Sequence, residues 1–186
     1  GTDSVVDFSS LTSFNDDAFD TSNLEAINGG TVDVGNLTDL NAVRIRLNDT
    51  GTLDTRQIIN HTNGILTING VTPDFSNLTN LDGSSLFVLN GGVLSLPALT
   101  GYTGSTDFDT TIQATGVGSQ VDLSALTTLR GSGAGLSPET LFINALAGAT
   151  VDLSNLSTIT GGATAALADG TDSVVDFSSL TSFNDD

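Results

Sequence analysis

Aspartate recurs at one position of a repeated motif, and this regularity is the clearest sign of chemistry in the chain. The seven aspartates are Asp7, Asp33, Asp54, Asp74, Asp122, Asp152 and Asp176. Carboxylate oxygens are the ligands that Ca²⁺ prefers, so a row of them makes Ca²⁺ the one cofactor that the sequence suggests. The alternative is a solvated face whose carboxylates accept hydrogen bonds from nearby Ser, Thr or backbone N–H groups. The calcium-binding nonapeptide GGxGxDxUx is absent, which weighs against the metal.

The remaining candidates for chemistry are the single histidine, His61, and three arginines near it in sequence, Arg44, Arg46 and Arg56. No partner motif accompanies the histidine, so we expect a structural or surface role for it. Polysaccharide-cleaving β-helices place carboxylates or a basic residue in a groove, which makes this neighbourhood the place to look for a cleft. Surface ion pairs are the simpler interpretation of the arginines. Phosphate loops, zinc spacings and nucleophile elbows are absent, so we predict no catalytic residues and no enzymatic activity.

Composition narrows the possible partners. The chain carries 22 acidic residues against four arginines, with a formal net charge of −18 and no lysine. Such a surface repels the phosphates of nucleic acids and anionic lipid headgroups. There is no cysteine, hence no disulfide or thiolate metal site, and no apolar run approaches the roughly 18 residues of a membrane span. We therefore expect neither nucleic-acid binding nor membrane insertion by this segment.

The aspartates belong to a nine-residue motif that is clearest as VDLSNLSTI at 151–159. Its copies occupy residues 6–14, 32–40, 53–61, 73–81, 94–102, 121–129, 151–159 and 175–183. Position 2 of the motif is Asp in every copy but one, which has Ser95, and position 6 is always Leu or Ile. Positions 1 and 3 are apolar while 2 and 4 are mostly polar, which is the alternation of a strand. Position 6 breaks that alternation, so we predict a bend near positions 4 and 5 and a second short strand around position 9.

A second strand-like run precedes each motif and ends in a turn. Residues 24–27 lead into Asn28-Gly29-Gly30, and residues 86–89 lead into Asn90-Gly91-Gly92. Asn-Gly is a strong turn signal because both residues tolerate positive φ. One repeat is thus predicted as strand, turn, strand, bend, short strand and a loop of variable length. Helix is disfavoured by the abundance of Gly, Thr, Asn and Asp.

Successive motifs begin 20 to 30 residues apart, which predicts that the chain closes on itself once per repeat. We predict an all-β fold: a right-handed parallel β-helix, or β-solenoid, of about seven to eight rungs with three short strands each. Motif positions 1, 3, 6 and 9 would fill its interior. Rungs about 4.8 Å apart would give seven of them a rise of roughly 34 Å. Variable rung length favours the right-handed form over the strict left-handed one, and the main rival is an up-and-down β-sandwich.

A longer period lies above the rung. Residues 1–17 are identical to residues 170–186, an offset of 169. We interpret 1–186 as a single solenoid slice, with one tandem unit at 1–169 and the first 17 residues of the next at 170–186. An overlap added by cloning is the alternative. No capping helix is evident at either end, so we expect neighbouring copies of the repeat to stack head to tail into a filament.

Asparagine also recurs in Asn-x-Ser/Thr tripeptides. They begin at Asn36, Asn48, Asn60, Asn77 and Asn155. Three of them are the Asn-Leu-Thr/Ser of the motif, so the repeat explains them without glycosylation. The aligned Thr-x-Thr array of ice-binding solenoids is not seen.

With the VDLSxLTxL motif, the Asn-Gly-Gly turns and the identical blocks in view, the chain resembles bacterial giant β-strand repeat surface proteins, similar in style to filamentous β-helix adhesins. The resemblance implies an extracellular or cell-surface location and a structural or adhesive role as stalk, spacer or fibre. It implies as partners neighbouring repeats, surface glycans or other surface proteins, and it supplies no site residues. A carbohydrate-binding or carbohydrate-cleaving β-helix domain is the alternative.

Overall fold

The computed structural model describes residues 3–17, 22–133 and 139–184, and these form 21 β-strands in three faces. The strands are numbered β1 to β21 in chain order. Face A, before each motif, comprises β3 (Ser22–Glu25), β6 (Val43–Leu47), β9 (Ile65–Asn69), β10 (Ser85–Leu89), β13 (Thr110–Thr115), β16 (Thr140–Leu146) and β19 (Ala163–Asp169). Face B, at the motif start, comprises β1 (Val5–Asp7), β4 (Thr31–Asp33), β7 (Thr52–Leu53), β11 (Val93–Ser95), β14 (Gln120–Asp122), β17 (Thr150–Asp152) and β20 (Val174–Asp176). Face C, at the motif end, comprises β2 (Ser13–Asn15), β5 (Asp39–Asn41), β8 (Asn60–Thr62), β12 (Gly101–Thr103), β15 (Thr128–Arg130), β18 (Thr158–Thr160) and β21 (Ser182–Asn184).

All pairings between these strands are parallel, and each strand pairs with the strand of the same face one rung away. One rung therefore runs through face A, a turn, face B, a bend and face C before the chain passes to the next rung. This confirms the β-solenoid of about seven turns with three strands per rung and rules out the sandwich, whose strands would be antiparallel. The right-handed sense stays a prediction, in line with the strong preference of parallel crossovers for that hand. Among the described residues there is no helix, and so none long and apolar enough to cross a bilayer.

The Asn-Gly turns join faces A and B as the sequence predicts. Asn90 and Gly91 have φ of 54° and 77°, the left-handed region that Asn and Gly enter at low cost. The N–H of Gly92 then donates to the carbonyl of Leu89 at 3.0 Å. The turn redirects the chain from one face to the next and does not form a hairpin.

Faces B and C are each interrupted at the rung that carries Pro73. Face A is one seven-stranded sheet, whereas B and C are each divided into a three-stranded and a four-stranded sheet. Proline has no N–H to donate to the neighbouring strand, which explains the break in face B. The rung stays connected, because the N–H of Val93 donates to the carbonyl of Val71 at 3.0 Å and Asn60 forms an isolated bridge with Asn80.

The interior is built from the apolar motif positions. The position-6 side chains of the six inner copies are fully buried, at 0 % exposure; they are Leu37, Ile58, Leu78, Leu99, Leu126 and Leu156. Burying one such aliphatic side chain stabilises the fold by about 1.5–3 kcal/mol. Leu11 and Leu180, in the first and last copies, are half-buried because each has a rung on one side only.

Candidate functional site

The recurring aspartates close the bend between faces B and C. In each of the seven, Oδ1 accepts a hydrogen bond from the backbone N–H two residues later, at 2.8 to 3.1 Å. In all eight copies the N–H of position 6 also donates to the carbonyl of position 3, at 2.8 to 3.2 Å. The Asp side chain thereby forms an Asx turn that overlaps a β-turn. The predicted bend at positions 4 and 5 is the tip of this double turn.

The aspartates also form rows along the outside of the solenoid. Asp7 lies opposite Asp33, and Asp122, Asp152 and Asp176 follow one another in register. Neighbouring parallel strands are about 4.8 Å apart, so the carboxylates lie near one another as the sequence predicts. Each rung nevertheless contributes only one carboxylate to a row.

Hydrogen bonding favours the ionised form of two of these carboxylates, those of Asp74 and Asp122. Hydrogen bonds from the side chain and backbone of Ser76, together with Arg56, lower the pKa of Asp74 to about 2. Burial raises the pKa of Asp122, but hydrogen bonds from Ser124 and Ser95 outweigh it and leave that pKa below its usual value. Asp74 and Asp122 therefore carry negative charge at neutral pH.

The rows do not assemble a metal cage. In residues 3–17, 22–133 and 139–184, no three Asp, Glu or His side chains are placed so that they could hold one metal ion. Ca²⁺ takes six to eight oxygen ligands, whereas Oδ1 of every row member is already engaged in its own turn. Some of the second oxygens are engaged too: Arg56 donates to Oδ2 of Asp74 at 2.9 Å and Ser95 to Oδ2 of Asp122 at 2.8 Å. The structure thus gives the aspartates a role in folding that needs no cation.

Two substitutions of Asp122 separate folding from cation binding. Asp122→Ala removes the acceptor for Ser124 and Ser95, and we expect it to lower the free energy of unfolding by about 1–2 kcal/mol. Asp122→Asn keeps an oxygen at the same place and relieves repulsion from Asp152, so its cost should be within about 0.5 kcal/mol. Urea denaturation with and without millimolar Ca²⁺ measures both effects. If Ca²⁺ stabilises the parent chain and Asp122→Asn abolishes that stabilisation, the site is a cation site after all.

The three arginines near His61 lie on two different parts of the surface. Arg46, on the outer surface of face A, contacts Glu25 at 3.7 Å from Nε to Oε1. Arg56, at a bend after face B, pairs with Asp74 at 2.9 Å. Arg44 lies in β6 beside Ile65 of the next strand. Two of the arginines thus form the surface ion pairs that the acidic composition favours; such exposed pairs each contribute about 0–1 kcal/mol.

His61 lies inside the solenoid. It is fully buried, and its Nε2–H donates to the carbonyl of Val43 at 2.9 Å, while Nδ1 has no hydrogen-bond partner. A Cβ on Gly64 would lie 2.8 Å from Nε2, so the glycine makes room for the ring. Burial lowers the pKa of His61 to about 4, which keeps the ring neutral at neutral pH. Of the structural or surface role expected from the sequence, the structure thus shows the interior position and not the surface one.

The motif asparagines connect successive rungs. Asn36, Asn77 and Asn155 each donate a side-chain N–H to the carbonyl of motif position 4 in the preceding rung. Asn60 donates to Asp39 of the preceding rung, and Asn48 accepts from Thr50. The amide groups of the Asn-x-Ser/Thr tripeptides are therefore part of the hydrogen bonding of the coil.

Recesses occur on face C, where the sequence did not suggest one. A recess of about 320 Å³ is lined by Thr100, Thr128, Thr160, Asp82 and Arg130, among others. A neighbouring recess of about 340 Å³ shares Asp82 and adds Asn63, Ser105 and Asp107. Arg130, the fourth arginine, and Asp82 are thus the polar groups that sequence reasoning missed. Their sequence signal is weak. Each comes directly after the apolar residue at motif position 9, where any outward-facing polar residue would fit.

No family model, curated protein or solved structure matches this chain. Its function therefore has to be argued from the geometry. In that geometry the Asp of position 2, and the Asn of position 5 in the three copies that carry it, bind the backbone of the solenoid itself. The recess around Arg130 combines charged groups with threonine hydroxyl groups on the lateral surface, and the coil itself does not explain that combination.

Proposed function

We propose that the chain is a structural β-solenoid module that acts as a stalk or spacer in a large extracellular or cell-surface protein. The proposal rests on one observation: the repeated polar side chains make hydrogen bonds to the backbone of the solenoid. Seven aspartates close its bends, and the side-chain amides of motif position 5 bridge its rungs. In this sequence the repeated residues form the turns and the contacts between rungs. Such a sequence is suited to a long, stiff rod, because every added rung makes the same hydrogen bonds.

The unit boundary supports a role in a tandem array. Residues 170–184, which repeat the start of the chain, pack on the preceding rung as β20 on β17 and β21 on β18, with Asp152 opposite Asp176. The register at this boundary is the same as between rungs inside the unit, such as Asp122 opposite Asp152. Consecutive 169-residue units can therefore join as one continuous solenoid without a flexible linker.

Charge and location fit the same proposal. The net charge of −18 keeps such rods apart laterally and in solution. The extracellular or cell-surface location, and contacts with surface glycans or other surface proteins, rest on the resemblance to giant repeat surface proteins. The module would be part of an adhesive fibre if a neighbouring segment or a lateral recess contacted the target.

A length measurement tests the spacer role. A chain extended by one further 169-residue unit should be longer than the 186-residue chain by about 34 Å, the rise of seven rungs. Small-angle X-ray scattering at several concentrations gives the maximum dimension and the cross-section of both chains. A stiff spacer keeps the cross-section constant while the length grows. An increase well below this value, with a distribution typical of two hinged bodies, would contradict the proposal.

The alternative, a carbohydrate-binding or carbohydrate-cleaving domain, is favoured by one observation. The face C recess places Arg130 and Asp82 among Thr100, Thr128 and Thr160, a set of groups that can hydrogen-bond sugar hydroxyls. Aromatic residues, which stack on sugar rings, make up only 5 % of the chain. Tyr102, which also borders the recess, is buried and donates its hydroxyl to the carbonyl of Ser84. Titration with acidic and neutral oligosaccharides, with Arg130→Ala as control, decides between the two roles.

A further inference from the structure

Face A differs from the other two faces in its charge. The only charged residues in its seven strands are Glu25, Arg44, Arg46 and Asp169, so the formal charges of this face cancel. With Glu25 and Asp169 set aside, 20 of the 22 acidic residues belong to other parts of the chain, together with the other two arginines. The repulsion that keeps two rods apart is therefore weakest where face A of one rod meets face A of another.

The middle of face A is both uncharged and partly apolar. Four consecutive strands of its sheet, β9, β10, β13 and β16, contain no charged residue. Large apolar side chains stand at outward, half-buried positions of three of these strands; they are Ile65, Phe87, Leu89, Phe142 and Leu146. Each of the four strands pairs with a neighbour on both sides, so this surface does not depend on the ends of the chain. We name the outward side chains of the four strands patch A.

Patch A mixes apolar side chains with neutral polar ones. Its central row, in register from strand to strand, consists of Thr67, Phe87, Gln113 and Asn144. The side-chain N–H of Gln113 donates to the hydroxyl of Thr115 at 3.0 Å, and that of Asn144 donates to Gln113 at 3.4 Å. Depletion of charged residues together with aromatic ones marks the core of protein–protein interfaces. The composition of patch A therefore fits contact with an uncharged protein surface.

We propose that two rods of this chain pair side by side, with patch A of one copy packed on patch A of the other. A second copy fits because it presents the same neutral surface and carries its rows of aspartates on another face, away from the contact. In a tandem array the patch recurs every 169 residues along face A, so two aligned arrays match patch to patch in every unit. This lateral pairing goes beyond the spacer role, although it rests on the proposed array for its strength.

The size of patch A determines how strong the pairing is. Its strands are five to seven residues long. With strands about 4.8 Å apart and residues about 3.3 Å apart, the patch covers roughly 300–400 Å². A stable interface buries about 800 Å² per partner. One unit therefore falls short, whereas three joined units offer roughly 1,000 Å², and the first contact raises the effective concentration for the next.

Chains with one and with three covalently joined units test the pairing. Analytical ultracentrifugation over a range of concentrations gives the mass, and small-angle X-ray scattering gives the length and the cross-section. We expect the three-unit chain to dimerise at a concentration at least about tenfold lower than the 186-residue chain. The dimer should have a larger cross-section and an almost unchanged length. Added salt should strengthen the pairing, because it screens the repulsion between the acidic parts of the two rods.

Two amide-to-carboxylate substitutions, made in every unit of the three-unit chain, locate the contact. Gln113→Glu places a charge at the centre of patch A, where pairing would bury it against its counterpart, so dimerisation should weaken at least about tenfold. Asn80→Asp is the matched control on face C: its side chain is also half-buried, and its Oδ1 keeps the hydrogen bond from the N–H of Asp82 at 3.1 Å. This variant should dimerise within about twofold of the parent. Gln113→Leu, which extends the apolar surface, should strengthen dimerisation instead.

Three results would overturn the pairing. The three-unit chain could stay a single rod at every concentration, which would leave patch A to a different partner. Asn80→Asp could weaken association as much as Gln113→Glu, which would place the contact on another face. Association could also increase the length and not the cross-section, which would indicate stacking end to end. The spacer role is judged from the length of joined units at low concentration, so either proposal can fail without the other.

Discussion

Replacing Leu126 by alanine is expected to lower the free energy of unfolding by about 2–5 kcal/mol. Leu126 occupies motif position 6 and is fully buried, and the same position in the rungs on either side holds Leu99 and Leu156, which are also fully buried. Its backbone is fixed by the turn, because its N–H donates to the carbonyl of Leu123 at 2.9 Å. The surrounding rungs are joined by backbone hydrogen bonds and cannot collapse into the cavity. The loss of unfolding free energy should therefore not fall below this range.

The same substitution at Leu11 is the matched control. Leu11 also occupies motif position 6, and its N–H makes the same turn bond, to Phe8. It lies in the first rung and is only half-buried, so Leu11→Ala should cost about 1 kcal/mol or less. Urea denaturation followed by far-UV circular dichroism measures the destabilisation in both variants. Equal destabilisation at the two positions would mean that the inner rungs are not stabilised by stacking of position 6.

The burial and the turn positions of the motif residues could be predicted from the sequence, because they depend on residues close by in the chain. The apolar residue at position 6 and the polar residue before the bend can be recognised from a single copy, and eight copies show which features are constant. The row of aspartates on the outside, such as Asp122 next to Asp152, follows from that pattern once the rungs are stacked in register. The specific bond made by each carboxylate, to the N–H two residues later, could have been predicted too, since Asp at the start of a turn commonly makes it.

The recess on face C could not be predicted, because it depends on contacts between rungs of different length. Arg130 and Asp82 are separated by 48 positions in sequence and are brought to one recess by the stacking of face C. The loops between faces C and A vary from copy to copy, and no motif fixes their course. The clustering of three arginines in sequence was misleading because only two of them share a face. Arg44 and Arg46 both lie on β6 of face A, whereas Arg56 lies at the bend after face B.

The motif copy with the weakest sequence pattern is built with polar interior residues. Thr55 stands at position 3, where other copies have an apolar residue, and its hydroxyl donates to the carbonyl of Asp74 at 2.7 Å. His61 stands at position 9, where the neighbouring copies have Leu40 and Leu81. Nearby, the buried hydroxyl of Ser84 donates to the carbonyl of His61 at 2.7 Å. The position within the motif was therefore a better guide to burial than the polarity of the residue.

The buried histidine makes stability depend on pH in a predictable direction. The pKa of His61 falls from its ordinary value of 6.5 to about 4 in the folded chain, because burial disfavours the charged ring. Between these two pH values the unfolded chain binds a proton that the folded chain does not, so stability decreases as pH falls from 6.5 towards 4. At pH 4 and below, this one residue is expected to cost about 3 kcal/mol relative to neutral pH. Above pH 6.5 the ring is neutral in both states and the cost is absent.

His61→Leu should remove this dependence, because leucine occupies the same motif position in the adjacent copies, at Leu40 and Leu81. At pH 7.5 or so the variant loses the hydrogen bond to Val43 but also loses the unpaired Nδ1, so its stability should stay within about 1 kcal/mol of the parent. At about pH 4 it should be the more stable by about 3 kcal/mol. The aspartates titrate alike in both chains, so the difference between their urea unfolding curves, measured from neutral pH to about pH 4, isolates the histidine. If the difference in unfolding free energy between the two chains stayed constant over this pH range, the prediction would be wrong. The protonated ring would then be in contact with water or with a hydrogen-bond partner, and not buried between Leu40 and Leu81.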